Sequence, residues 1–302
     1  MKTVNLTGFG KKHSGKVRDY YFTKDKGILV TTDRISAFDR ILGEIPYKGQ
    51  VLNRLSAFWF DKTKDIIENH LLFTPHANVS VVKRATPIPL EMVVRGYISG
   101  VTNTSIWGSY EKGERTIYGV KFPDGLKKNQ KLKTPVITPT TKAASGHDQR
   151  VTRKEIIERK IVPETIYKQM EKAALALFER GSKIAAKGGI ILVDTKYEFG
   201  LLGDKLLLID EIHTPDSSRF WIKKTYKERL KKGLEPENFD KEFLRIWYKK
   251  RGYTGDGKPP RMTEDFIQKV SRRYVAIFEK ITGKKFIYDK SRINPASIKN
   301  SI

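Results

Sequence analysis

Residues 190–220, IILVDTKYEFGLLGDKLLLIDEIHTPDSSRF, constrain the fold most, because they put charge where a buried strand should be apolar. At a side-chain period of two, Ile190, Leu192, Asp194, Lys196 and Glu198 share one face of a strand, opposite Ile191, Val193, Thr195, Tyr197 and Phe199. Residues 200–204 read as a turn and 205–212 as a second strand, with Leu206, Leu208 and Asp210 on one face. The result is a hairpin that gathers Asp194, Glu198 and Asp210 beside Lys196. Buried carboxylates are costly unless paired or metal-bound, so this face calls for a divalent cation and a phosphate.

A chain of 302 residues has ample length to bury a core, as one large or two modest domains. Its 38% hydrophobic and 31% charged residues describe a globular chain. The absence of cysteine excludes disulfides, thiolate metal sites and a cysteine nucleophile. No run approaches a membrane span and the first residues lack an apolar signal region, so a cytoplasmic protein with no membrane partner is expected. The net charge of +25 raises nucleic acid as a partner. The lysines are spread over the whole chain without a basic arm, and an evenly basic surface equally suits small polyanions, so no nucleic-acid partner is expected.

Near the N-terminus, GKKHSGK at 10–16 imitates a phosphate-binding P-loop. Val17 stands where Ser or Thr would hold magnesium, and the following run is strand-like rather than helical, so the motif is rejected. Lys16 remains a phosphate contact or a solvated lysine on a hairpin, with Arg18 on the same face. Residues 33–40 read as a loop, either a ligand loop or a helix-capping turn, with a helix over about 53–70. Pro87 and Pro89 predict a stiff connector between two strands, dividing a smaller α+β lobe, 1–87, from a larger one, 88–302. Arg95 ends the second of these strands, where a guanidinium suits forked recognition of carboxylate or phosphate.

Residues 121–152 read as mostly irregular, a mobile connection or a lid, with Lys142, Ser145, His147 and Asp148 as its candidates. Adjacent His and Asp rarely bind one ion, and no nucleophile motif accompanies them, which favours a substrate loop. An amphipathic helix is predicted over 163–187 and further helices near 223–232, 240–251 and 263–281. The TPDSSRF turn places Arg219 and two serine hydroxyls near the end of the second strand of the hairpin.

LVDTKYEFG followed by LLLIDEIHTPDSSRFW resembles the signature region of the SAICAR synthetase (phosphoribosylaminoimidazole-succinocarboxamide synthase) family. GKVRDYY, DRISAFDRIL, PLEMVVRGYISG and SGHDQR extend the resemblance, in order, over most of the chain. It implies an α+β, two-lobed fold: an N-terminal lobe similar to the small lobe of protein kinases, a larger ATP-grasp-like lobe, and a nucleotide cleft between them. The implied enzyme is an ATP-dependent carbon–nitrogen ligase of purine biosynthesis. It would join L-aspartate to the carboxylate of a carboxyaminoimidazole ribonucleotide, through an acyl phosphate, with ATP and Mg2+ as cofactors.

By the same resemblance, Glu198 and Asp210 hold magnesium, and Asp194 and Lys196 complete the catalytic site with Glu198. Lys16, Arg18, Ile88, Glu91, Met92 and Lys142 meet the nucleotide. Asp39, Arg95, Ser99, His147, Asp148, Asp216, Ser218 and Arg219 meet substrate, together with Lys196. One departure concerns Ser99-Gly100-Val101, where the family continues Gly-Ser, so that Ser99 or Thr102 would have to supply the hydroxyl. Two rival classes are a kinase-like phosphotransferase, which lacks its GxGxxG and HRD segments here, and a nucleic-acid binder supported by charge alone. Monomer and homo-oligomer stay open, since the apolar faces of the C-terminal helices could pack at home or against a partner.

Overall fold

A computed structural model describes residues 1–100, 104–142, 149–239 and 241–301. The chain opens with strands β1 (His13–Ser14), β2 (Arg18–Phe22) and β3 (Lys26–Thr31), a small hairpin β4 (Arg34–Ala37) and β5 (Arg40–Glu44), and helix α1 (Lys48–Thr63). Strands β6 (Leu71–His76), β7 (Val79–Lys83) and β8 (Thr86–Tyr97) follow, then α2 (Ile106–Glu111), β9 (Thr116–Ile117), β10 (Val120–Lys121), β11 (Lys131–Ile137) and β12 (Thr140–Thr141). Next come α3 (Arg153–Glu158), α4 (Glu164–Lys187), β13 (Ile190–Leu202), β14 (Lys205–Ile209) and β15 (Ser218–Ile222). Helices α5 (Lys223–Lys231), α6 (Glu242–Lys249), α7 (Glu264–Thr282) and α8 (Pro295–Asn300) complete it.

The architecture is mixed α/β. One antiparallel sheet runs β1-β2-β3-β7-β6 and a second runs β11-β8-β13-β14, with β12 added to β8 and β15 to β13. The backbone joins the two sheets at residues 68–70, where the His70 amide donates to the Leu208 carbonyl (3.0 Å) and the Leu208 amide to the Glu68 carbonyl (2.9 Å). The main core is continuous from Leu52, Leu55 and Trp59 of α1 to Leu177 of α4, Met92 of β8, Phe199 of β13 and Tyr274 of α7. Burying each such side chain stabilises by roughly 1.5–3 kcal/mol.

Helix α1 begins five residues before the position expected from sequence. Tyr47, in a left-handed conformation, gives it no side-chain cap; instead Asp33 Oδ1 accepts from the Gly49 amide at 2.9 Å. That cap comes from far along the chain, so no local window shows it. Residues 33–40, expected as a loop, form the β4–β5 hairpin. Phe38 and Asp39 both have positive φ, as a two-residue turn matched to strand twist requires.

The predicted connector at Pro87 and Pro89 is instead the first part of the continuous strand β8. The Pro89 carbonyl accepts from the Lys142 amide (3.1 Å), so both proline nitrogens face the sparsely bonded β12 side, where a missing N–H is tolerated. The stretch 121–152, expected to be irregular, supplies β11 and β12; their pairing with β8 supports a segment too poor in apolar residues to read as strand. Helix α4 ends at Gly188, where an added Cβ would lie 1.9 Å from the Lys280 carbonyl, so only glycine allows α7 to approach this closely.

Candidate active site

Strands β8 and β13 lie side by side with Arg95 opposite Asp194, Val93 opposite Lys196 and Glu91 opposite Glu198. Cross-strand partners share a face, so Arg95, Glu91, Asp194, Lys196 and Glu198 line one side of the sheet. On the other side, Ile88, Leu90, Met92 and Val94 of β8 and Tyr197 and Phe199 of β13 enter the main core. Ile88 and Met92 therefore sit on the core face, opposite Glu91.

Ile190 and Leu192 also lie in the main core, not beside Asp194 as simple alternation predicts. A register shift against β15 between Leu192 and Asp194 changes the parity of the strand there. Val193 consequently packs with Tyr97, Trp221 and Tyr226, while the charges beyond it keep the face of Glu91. A bulge of this kind re-aims side chains beside a site.

Asp210 needs a second departure from alternation. Glu198 pairs with Ile209, so the next residue would turn toward the core face with Leu206 and Leu208. Asp210 instead lies past β14 in a left-handed conformation, φ 66°, and its carboxylate meets Arg18 from the other sheet. Arg18 also binds Glu211, so one guanidinium joins two adjacent acids.

Two groups of charge follow along β13. At one end Lys196 bridges Glu91 and Glu198, with Nζ 2.8 Å from Glu198 Oε1, and Lys142 meets the other Glu198 oxygen. Desolvation alone would lower the Lys196 ammonium, but Glu198, Glu91 and Asp210 outweigh it and hold its pKa well above the ordinary lysine value. Desolvation alone would raise Asp210; Arg18, Lys196 and Lys142 instead bring it down to about 2. Glu198 and Asp210 thus answer to the same lysines.

At the other end Asp194 receives Arg219 Nη1 at 2.5 Å and Ser99 Oγ at 3.4 Å, with Arg95 Nη1 at 3.6 Å. Arg95 is fixed further by Thr138 Oγ1 (2.8 Å) and the Thr104 carbonyl (3.0 Å). Burial lowers its pKa against the opposing pull of Asp194. Two guanidiniums around one carboxylate leave a net positive charge. Ser99, Gly100 and Arg219 open onto a cavity of about 240 Å³ that Lys128, Lys249, Glu235 and Glu242 also line. Gly100, at φ 87°, is required there: an added Cβ would come within 2.7 Å of the Ser105 Cβ and 3.2 Å of Arg219 Nη2.

The remaining expected residues are distributed differently. Lys16 and Asp39, assigned by resemblance to different ligands, pair with each other at the exposed β4–β5 turn. Ser218 Oγ donates to Thr195 Oγ1 at 2.8 Å, across the sheet. Asp216 is enclosed by Lys48, Lys241 and Tyr274. Ser145, His147 and Asp148, with Val101 and Thr102 of the departing segment, lie outside the described residues.

Sequence reasoning passed over Lys48, Glu211, Lys241 and Tyr274. Glu211 had a signal, an acidic doublet ending the apolar run LLLIDE; the other three are drawn together only by packing. Among the described residues no three His, Asp or Glu side chains form a metal cage. Magnesium does not require one, since it takes one or two carboxylates and completes its shell with phosphate and water. Glu198 and Asp210 are two such carboxylates, and in this structure Lys196 and Lys142 hold the first and Arg18 the second.

These features define an α/β protein whose central strand carries paired charge suited to phosphorylated, anionic ligands. The model of the SAICAR synthetase family matches residues 11–262, and the chain belongs to that family. It is 49% identical over 296 residues to the phosphoribosylaminoimidazole-succinocarboxamide synthase of Legionella pneumophila (strain Paris), covering 97% of this chain and 94% of the relative. Among solved structures it is similar to the SAICAR-synthase from Saccharomyces cerevisiae complexed with SAICAR, with TM-score 0.83, 32% identity, and 95% and 99% of the two chains covered. It is also similar to a SAICAR synthetase in complex with ADP, with TM-score 0.69, 26% identity, and 92% and 100% covered.

Proposed function

We propose that the chain is the ATP-dependent ligase of de novo purine biosynthesis that joins L-aspartate to 5-amino-1-(5-phosphoribosyl)imidazole-4-carboxylate, giving SAICAR, ADP and phosphate. The observation that carries this reading is the order of charge along β13: an arginine pair around Asp194, then Lys196, then the Glu91 and Glu198 carboxylates. Asp194 and Glu198 are four residues apart, roughly 13 Å at the rise of a strand. A phosphorylated substrate anchored at the arginine end therefore reaches toward the carboxylate end, where a nucleotide would arrive.

Neutral-pH amide formation from a carboxylate requires activation. In the proposed course an oxygen of the substrate carboxylate attacks the γ-phosphorus of ATP and ADP leaves. The aspartate amine, having lost a proton, then attacks the acyl carbon, and phosphate departs. Phosphoryl transfer asks the protein mainly for positioning and for cations that offset charge on the phosphate oxygens. Lys196 and Lys142 offer that charge, and Arg95, Arg219 and Ser99 anchor the ribonucleotide. Magnesium held by Glu198 and Asp210 would further neutralise the nucleotide phosphates.

In the same reading residues 1–87 act as a lobe similar to a kinase small lobe over a larger, ATP-grasp-like lobe, 88–302. The support is that Arg18 reaches Asp210 across the two sheets. A cytoplasmic setting belongs to this reading, and among the described residues no helix is long and apolar enough to cross a membrane. The test measures ADP release with ATP and magnesium, adding ribonucleotide and aspartate singly and together. Release is expected only with both; release with neither, or none at all, would favour a phosphotransferase or a non-catalytic protein.

A further inference from the structure

We infer that Asp216 is a positioning residue, clamped by Lys48, Lys241 and Tyr274, that sets the spacing between Asp210 and Arg219. This rests on the ligase reading, in which those two residues serve magnesium and the ribonucleotide. It reassigns Asp216, which resemblance alone would give to substrate.

Both oxygens of Asp216 are occupied from within the protein. Oδ2 receives Lys48 Nζ at 2.7 Å and Lys241 Nζ at 3.0 Å, and Oδ1 receives the Tyr274 hydroxyl at 2.6 Å. The Asp216 side chain is 2% exposed and that of Lys48 0%. The donors come from three separate places: the first residue of α1, the residue before α6, and α7. Burial alone would raise the Asp216 carboxyl, but Lys241 and Lys48 hold it well below the ordinary carboxylate range. With three donors from within the protein and a side chain 2% exposed, this carboxylate is closed to solvent.

It does have a connected route to both ends of the 210–219 segment. The Asp216 amide donates to Thr214 Oγ1 (3.2 Å), the Thr214 hydroxyl donates to Glu211 (2.6 Å), and Glu211 pairs with the guanidinium of Arg18 that also holds Asp210. In the other direction the Ser218 amide donates to the Thr214 carbonyl (2.9 Å) and the Ser217 carbonyl accepts from the Lys196 amide (3.1 Å). Ser218 and Arg219 then pair with Thr195 and Asp194 of β13. His213, left-handed at φ 48°, is pinned beneath this turn, its Nε2 2.6 Å from the Tyr197 hydroxyl. A shift of Asp216 therefore moves Asp210 and Arg219 together.

Tyr274→Phe removes one donor and retains the ring. Calorimetry should show the ribonucleotide and magnesium–ADP both binding about tenfold more weakly, the scale of one hydrogen bond to a charged group. Lys241→Met should do the same, and serves if Tyr274→Phe does not fold. Weaker ribonucleotide binding with magnesium–ADP unchanged would make Asp216 a substrate contact and overturn the clamp. A lower melting temperature with both affinities intact would also overturn it, leaving a purely structural role. Failure of the ligase reading is separate, since it shows as the wild-type protein releasing no ADP with both substrates.

Discussion

Two clusters of charge among the described residues, one around Lys196 and one around Asp216, are built on opposite plans. Around Lys196, Glu91 and Glu198 the charges are partly open: the Lys142 side chain is 45% exposed and that of Lys196 32%. Around Asp216 the knot is closed, with Lys48 and Asp216 out of water and each carboxylate oxygen matched to donors. An open knot can exchange a lysine for a ligand without leaving a charge stranded. A closed one cannot, because removing one partner of a buried pair leaves the other uncompensated. In the proposed function the difference would separate charge that meets ligands from charge that holds the chain in place.

The sharpest way to break this comparison is Asp216→Ala. It leaves Lys48, whose pKa burial already lowers to about 8, and Lys241 without their carboxylate and should cost about 3–5 kcal/mol of stability, measured by urea unfolding. An unchanged midpoint would mean that the knot is not closed. Glu198→Gln, in the open knot, should do the reverse. Turnover should fall about 100-fold, close to 3 kcal/mol of barrier, since in the proposed function Glu198 holds magnesium and a neutral amide would hold it poorly, while the unfolding midpoint moves far less than with Asp216→Ala. Near wild-type rates at saturating magnesium would remove Glu198 from the metal.

Acid titration sharpens the comparison with a smaller effect. Asp210 is held at about 2 and Asp216 well below the ordinary range, so neither of these carboxylates protonates under mildly acid conditions. Two buried histidines respond in that range instead: burial lowers the pKa of His213 to about 3 and that of His70 to about 4. A histidine depressed in the folded state contributes stability that is complete above its unfolded value, about 6.5, and is lost as pH falls through the folded value. Stability should therefore fall as pH drops from 6 to 4, by up to about 1.4 kcal/mol per pH unit from each of His213 and His70. A flat stability profile over that interval would show that neither imidazole is buried neutral.

Much of the scaffold was legible in the sequence. The 163–187 helix follows from periodicity, as does the hairpin expected over 190–212, although its second strand ends at Ile209, and α5, α6 and α7 fall within one or two residues of their expected bounds. The family was legible too, because its motifs recur in order along the chain. What period-two reasoning could not show was the parity change at Leu192–Asp194, since a bulge is a relation between two strands. Nor could it show α1 starting at Lys48, where the capping carboxylate lies far off in sequence at Asp33.

The sequence by itself determined that Asp194, Lys196 and Glu198 lie on one face of a strand, because alternation is a property of a single extended chain. It also determined that charge there needs a partner. Only the tertiary structure decided which partners these are: Arg95 and Arg219 for Asp194, Glu91 for Lys196, and Arg18 from another sheet for Asp210. It alone turned Asp210 toward Arg18 and enclosed Asp216 among Lys48, Lys241 and Tyr274. The physical reason is that pairing energy falls with distance in space, whereas the sequence records only distance along the chain.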